Sequence, residues 1–102
     1  MAHEPFDESG RPKPGYSGKV YVKSDTAVSD AARRFEAVEK KLRDVIIRVE
    51  NYGQLFGTAA EQTFPVEAGE WMGLTSLDLA TLYFRNAGGG ENGTVHIIGV
   101  ED

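Results

Sequence analysis

The segment Asp44-Val45-Ile46-Ile47-Arg48-Val49-Glu50 constrains this chain more than any other. Val45, Ile47 and Val49 alternate with Ile46, Arg48 and Glu50, and a β-branched run with a period of two places alternate residues on opposite faces of a strand. Such a strand needs hydrogen-bonding neighbours, so the rest of the chain must supply further strands. It does so at short intervals. Residues 19–24, 54–57, 62–66, 71–74, 79–84 and 94–100 are strand candidates. They are punctuated by Asn51-Tyr52-Gly53, Glu67-Ala68-Gly69-Glu70 and the glycine-rich stretch 86–92, read as a hairpin loop. Pro65 confines its strand to an edge or a bulge, and Gly69 suits a turn position with positive φ. Asn92-Gly93 reads as a tight turn into the last strand. Strands recurring every ~8–12 residues predict an all-β fold, a small β-sandwich or barrel over residues 19–102.

Residues 1–18 read differently. Pro5, Pro12, Pro14, Gly10, Gly15 and Gly18 interrupt any regular period, which predicts an extended N-terminal arm. Pro5, Phe6, Pro12, Pro14 and Tyr16 are its candidate contact residues, with Phe6 and Tyr16 as apolar anchors. Extended segments of this kind gain affinity by adding to another protein's groove or sheet edge, so the arm is expected to lie across a neighbouring chain. Residues 27–43 admit two readings. Val28, Ala31, Phe35, Val38, Leu42 and Val45 recur at helical spacing, with Ser29 or Asp30 as a cap. Arg34–Val38 also alternates as a strand would.

With 102 residues the chain is one domain. It has no cysteine, which excludes a disulfide framework, a thiolate metal site and a cysteine nucleophile. Its formal charge of −5 argues against nucleic acid as the main partner. That charge is uneven: residues 1–26 are neutral, 27–50 carry +1 and 51–102 carry −6. No apolar run reaches membrane-spanning length, and MAHEPFDESG lacks the apolar core of a secretory signal, so assembly in the cytoplasm is expected.

Chemistry-bearing motifs are few. Gly88, Gly90 and Gly93 match G-x-G-x-x-G, but a strand follows where a dinucleotide site needs a helix. No cofactor is expected. His3, Glu4, Asp7 and Glu8 cluster only in the arm and read as a solvated end rather than a metal site. His96 sits in a strand without an acid or nucleophile at recognisable spacing, and Ser17, Ser24, Ser29 and Ser76 lack a nucleophile-elbow context. The residues therefore do not point to an enzyme. Trp71 follows a polar turn and is divided between a core and an interface role. Trp71 with Tyr52 also suggests a carbohydrate-stacking platform.

The stretch from Val45 to Asp102 resembles small structural proteins of tailed viruses. The resemblance is carried by the strand at 45–51 and the Phe64-Pro65-Val66-Glu67-Ala68-Gly69-Glu70 segment. Leu77-Asp78-Leu79-Ala80-Thr81-Leu82-Tyr83-Phe84-Arg85-Asn86, a glycine loop and Gly93-Thr94-Val95-His96-Ile97-Ile98-Gly99-Val100 complete it. It covers a little over half the chain and consists of strands and turns rather than catalytic residues. The resemblance implies a β-sandwich, with strand and loop across 27–43, and a non-enzymatic capsid decoration or cement protein. Its implied partner is the major capsid protein at the outer surface of the virion. There it would form a homo-oligomer, a trimer favoured, and tie capsid subunits together across their joints. A head–tail adaptor or tail component and a carbohydrate-binding module are the alternatives.

Overall fold

The computed structural model describes residues 18–102, and the arm contacts expected at Pro5, Phe6, Pro12, Pro14 and Tyr16 lie outside them. Seven strands form in chain order: β1 (Val20–Asp25), β2 (Lys41–Glu50), β3 (Gln54–Gly57), β4 (Gln62–Val66), β5 (Trp71–Asp78), β6 (Tyr83–Asn86) and β7 (Thr94–Glu101). They pair antiparallel into a four-stranded sheet, β1-β7-β2-β5, and a three-stranded sheet, β4-β3-β6. The two sheets face each other as a small β-sandwich, as the strand spacing predicts.

The alternation in β2 sets the core. Val45, Ile47 and Val49 are buried, as are Val95 and Ile97 of the paired strand β7. Phe56 and Phe84 meet them from the smaller sheet, and Phe84 stacks on Phe56 at 5.7 Å and on Phe35 at 5.0 Å between ring centroids. Tilted aromatic pairs at these distances add to the apolar burial that holds the sheets together.

β2 begins three residues before the expected strand. Opposite β7 its register slips between Arg43 and Ile46, and Asp44 takes φ 51°. This bulge re-aims the strand, so that Leu42 is buried together with Val45 despite their odd spacing. Gly99 lies over the bulge; a Cβ there would stand 3.2 Å from both Leu42 and Val45.

No helix forms over 27–43. Val28, Phe35 and Leu42 are buried, but Val38 is 76% exposed and Ala31 is also exposed. Residues 26–40 are an irregular connection anchored at separate points. Val28 N donates to Gly93 O (3.1 Å), and Arg33 exchanges two backbone bonds with Phe84 at the edge of β6 (2.9 and 2.8 Å). The strand expected at 79–84 is divided. Leu79–Thr81 is a 3-10 turn, capped by Asp78, whose side chain accepts from Ala80 N and Lys40 N at 3.0 Å each.

The glycine-rich stretch is not a hairpin, because β6 and β7 belong to different sheets. Its tight turn is Gly88–Glu91, with Gly90 at φ 76°. Gly93 is needed for close approach instead: a Cβ there would meet Gln54 Nε2 and, at 2.8 Å, Tyr52 O. Gly69 has the positive φ expected of it, 89°.

Candidate functional site

Residues paired across an antiparallel sheet lie on the same face, so the register reads out what the four-stranded sheet shows to solvent. One row runs Val22, Ile98, Ile46, Gly73 across β1, β7, β2 and β5. Val22, Ile98 and Ile46 are all exposed. Trp71 fills the place that Gly73 leaves: its ring atom Cζ3 lies 3.8 Å from where a Cβ of Gly73 would stand. Trp71 is 64% exposed, so it is a surface residue and not part of the core. The outcome is an apolar band across the whole face, extended at the β1 side by the exposed Val20. Isolated apolar side chains on a surface need no explanation, but these lie in adjacent register on one face.

The neighbouring row is polar. Ser24, His96, Arg48 and Trp71 are aligned by the same pairing. Ser24 Oγ lies 2.6 Å from His96 Nδ1, and His96 Nε2 lies 2.7 Å from Glu50 Oε1. Arg48 Nη2 is 3.9 Å from the other oxygen of Glu50. The hydrogen bond from His96, then the charges of His96 and Arg48, hold the Glu50 carboxyl below its ordinary 4.5. His96 Nε2–H donates to the Glu50 carboxylate, and the other ring nitrogen shares a hydrogen bond with the Ser24 hydroxyl. Hydroxyl, imidazole and carboxylate follow the order of an activated nucleophile. Here they stand on an open sheet face beside the apolar band.

The sequence hid this cluster. Ser24, Glu50 and His96 are far apart along the chain and meet only because β1, β7 and β2 are neighbours in one register. The alternation in β2 already placed Ile46, Arg48 and Glu50 on one side, and that is the signal from which half the face could be found. Tyr52 does not join it. It lies in the bend beyond the end of β2 and is 46% exposed.

A second apolar feature lies at the margin of the sandwich. Among the described residues β4 and β5 each pair on one side only. Between their free edges a groove of about 310 Å³ is lined by Phe56, Gly57, Phe64, Met72, Gly73, Leu74 and Leu82. Phe64 pairs with the buried Phe56 but is 60% exposed.

The loops at the opposite margin are fixed by a polar network. Asp30 accepts from Asn86 Nδ2 (2.9 Å) and from Gly90 N (3.1 Å), and Asn86 Nδ2 also reaches Asn92 Oδ1 (2.8 Å). Asp30, a helix cap by sequence, is instead the clasp of the glycine-rich connection. The glycines of the G-x-G-x-x-G pattern thus serve a loop. Among the described residues no cluster of His, Asp or Glu is arranged to hold a metal ion. No helix there is long and apolar enough to cross a membrane. Comparison with protein-family models, curated proteins and solved structures found no significant match to this chain.

Proposed function

We propose that this chain is a non-enzymatic assembly protein of a virion, a capsid decoration protein that docks on the major capsid protein through the outer face of its four-stranded sheet. The observation that carries the docking is the band Val22–Ile98–Ile46–Trp71, flanked by Ser24, His96, Arg48 and Glu50. An apolar centre with a polar margin is the anatomy of a protein–protein interface, and an exposed tryptophan at its edge is a strong anchor. The virion assignment rests on the resemblance of residues 45–102 to tailed-virus structural proteins. Many copies on one lattice make even a weak docking face sufficient, because multivalency multiplies modest affinities.

The test is co-sedimentation with purified capsids lacking the protein. Replacing Ile46 and Ile98 by Glu changes two solvent-facing side chains and should leave the circular dichroism spectrum unchanged. Binding should fall at least ~10-fold, the scale on which interface anchors act. Full binding by the folded double variant would refute the docking face. Copy number separates the shell from the neck: many copies over the particle support decoration, and a single ring supports a head–tail adaptor. Labelling of Ser24 by a serine-reactive phosphonate would overturn the non-enzymatic reading.

A further inference from the structure

The polar network of the glycine-rich connection holds a chemically reactive step of the chain. The three asparagines, Asn51, Asn86 and Asn92, are followed by Tyr52, Ala87 and Gly93. Asn92-Gly93 is therefore the one Asn-Gly step. In such a step no side chain shields the following amide, whose nitrogen can attack the asparagine carboxamide. Asn92 is exposed to water, whereas Gly93 is buried. Gly93 N donates to Asn86 Oδ1 (3.3 Å), and Gly93 O accepts from Val28 N (3.1 Å). Asn92 Oδ1 accepts from Asn86 Nδ2 at 2.8 Å. One carboxamide thus holds both reacting groups. Its oxygen engages the nucleophile, Gly93 N, and its nitrogen engages the side chain to be attacked.

Asn86 is itself fixed. A backbone N–H can only donate and an ionised carboxylate can only accept, so its oxygen faces Gly93 and its nitrogen faces Asp30 (2.9 Å). Gln54 Nε2 also donates to Asn86 Oδ1 (3.2 Å), and Asn86 is 2% exposed. Gly93 has little room to turn, with Tyr52 O and the Gln54 carboxamide close against it. Attack by its nitrogen requires the bond to Asn86 to break first, so the reaction waits on local opening of the connection.

We propose that Asn92 is a deamidation site kept closed by the Asp30–Asn86 clasp, and that its modification loosens the clasp. On opening, Gly93 N loses its proton to solvent base and bonds to Asn92 Cγ. The Cγ–Nδ2 bond breaks, the leaving nitrogen takes up a proton, and ammonia departs. Water then opens the cyclic imide at either carbonyl, giving aspartate or isoaspartate. The new carboxylate shares Asn86 Nδ2 with Asp30, and like charges on one donor repel. The inference concerns the chain's own chemistry and does not rest on the docking reading.

The test follows Asn92 in the full chain at mildly alkaline pH, by peptide mapping with mass spectrometry and by isoaspartyl methyltransferase labelling. The folded parent should convert at least ~10-fold more slowly than the same chain unfolded in urea. Equal rates overturn the proposal. Asp30→Ala, shown to be folded by circular dichroism, should convert at least ~3-fold faster than the parent. If that variant does not fold, Asp30→Asn, which retains an acceptor, takes its place. Asp44→Val, which disturbs β2 away from the connection, should stay within ~2-fold of the parent. Equal acceleration by both variants would assign the protection to global stability and overturn the clasp. Asn92→Asp reproduces one product and should lower the urea midpoint at neutral pH; an unchanged midpoint overturns the loosening.

Discussion

Asp30 clasps the glycine-rich connection with one carboxylate, and the bonds it accepts make its protonation matter. The hydrogen bond from Asn86, and then that from the Gly90 amide, hold its carboxyl below the ordinary 3.8. A carboxyl that is more acidic folded than unfolded stabilises the fold above its unfolded pKa, and that contribution disappears as pH falls through the folded value. Asp30→Asn should therefore lower the urea midpoint most above pH ~5, with the gap to the parent closing towards pH ~2. A gap constant across that range would refute the clasp. Glu50, Glu36 and Asp78 are lowered in the same sense: Glu50 mainly by His96, Glu36 mainly by the Tyr21 hydroxyl, Asp78 mainly by the Lys40 amide. Acid should thus loosen the domain at several points together. Asp30 was legible in the sequence only as a residue fit for capping. Which amide it caps depends on a loop 60 residues later in the chain.

At the scale of elements, β2 shows what a local pattern contains and what it omits. Val45, Ile47 and Val49 point into the core as their alternation requires. Leu42 joins them only because Asp44 adopts φ 51° and adds a residue opposite β7. A left-handed conformation costs a side-chain-bearing residue ~1–2 kcal/mol, less for Asp than for a β-branched residue. Asp44→Val should then lower stability by ~1–2 kcal/mol, while Asp44→Gly should stay within ~0.5 kcal/mol of the parent. Chemical denaturation measures both, and equal effects would contradict the bulge. The helical period over 27–43 fails for a related reason, because long-range bonds from Val28 to Gly93 and between Arg33 and Phe84 hold that segment. Val28, Phe35 and Leu42 reach the core from three unrelated backbone positions, so their spacing of seven describes no single face. The 3-10 turn Leu79–Thr81 was equally hidden, because Asp78 earns its cap by also binding the Lys40 amide across the sheet edge.

For the whole molecule, the chain passes between sheets at four short connections: β2 to β3, β4 to β5, β5 to β6 through the 3-10 turn, and β6 to β7. The first strand pairs with the last, and β2 also pairs with β7. Such distant pairings close large loops before they gain contacts, so refolding from urea should occupy milliseconds to seconds. Stopped-flow circular dichroism would show this, and a microsecond main phase would contradict the topology. By itself, the sequence determined the class of fold: alternation, β-branching and turn residues act over a few positions and are set by backbone geometry. It also determined the absence of thiol chemistry and the acidic second half. The outer face of the four-stranded sheet and the groove at its edge were decided by tertiary structure alone. Val22, Ile98, Ile46 and Trp71, like Ser24, His96 and Glu50, become neighbours through strand order and register. Both come from closing the core over the whole chain, which no local pattern encodes.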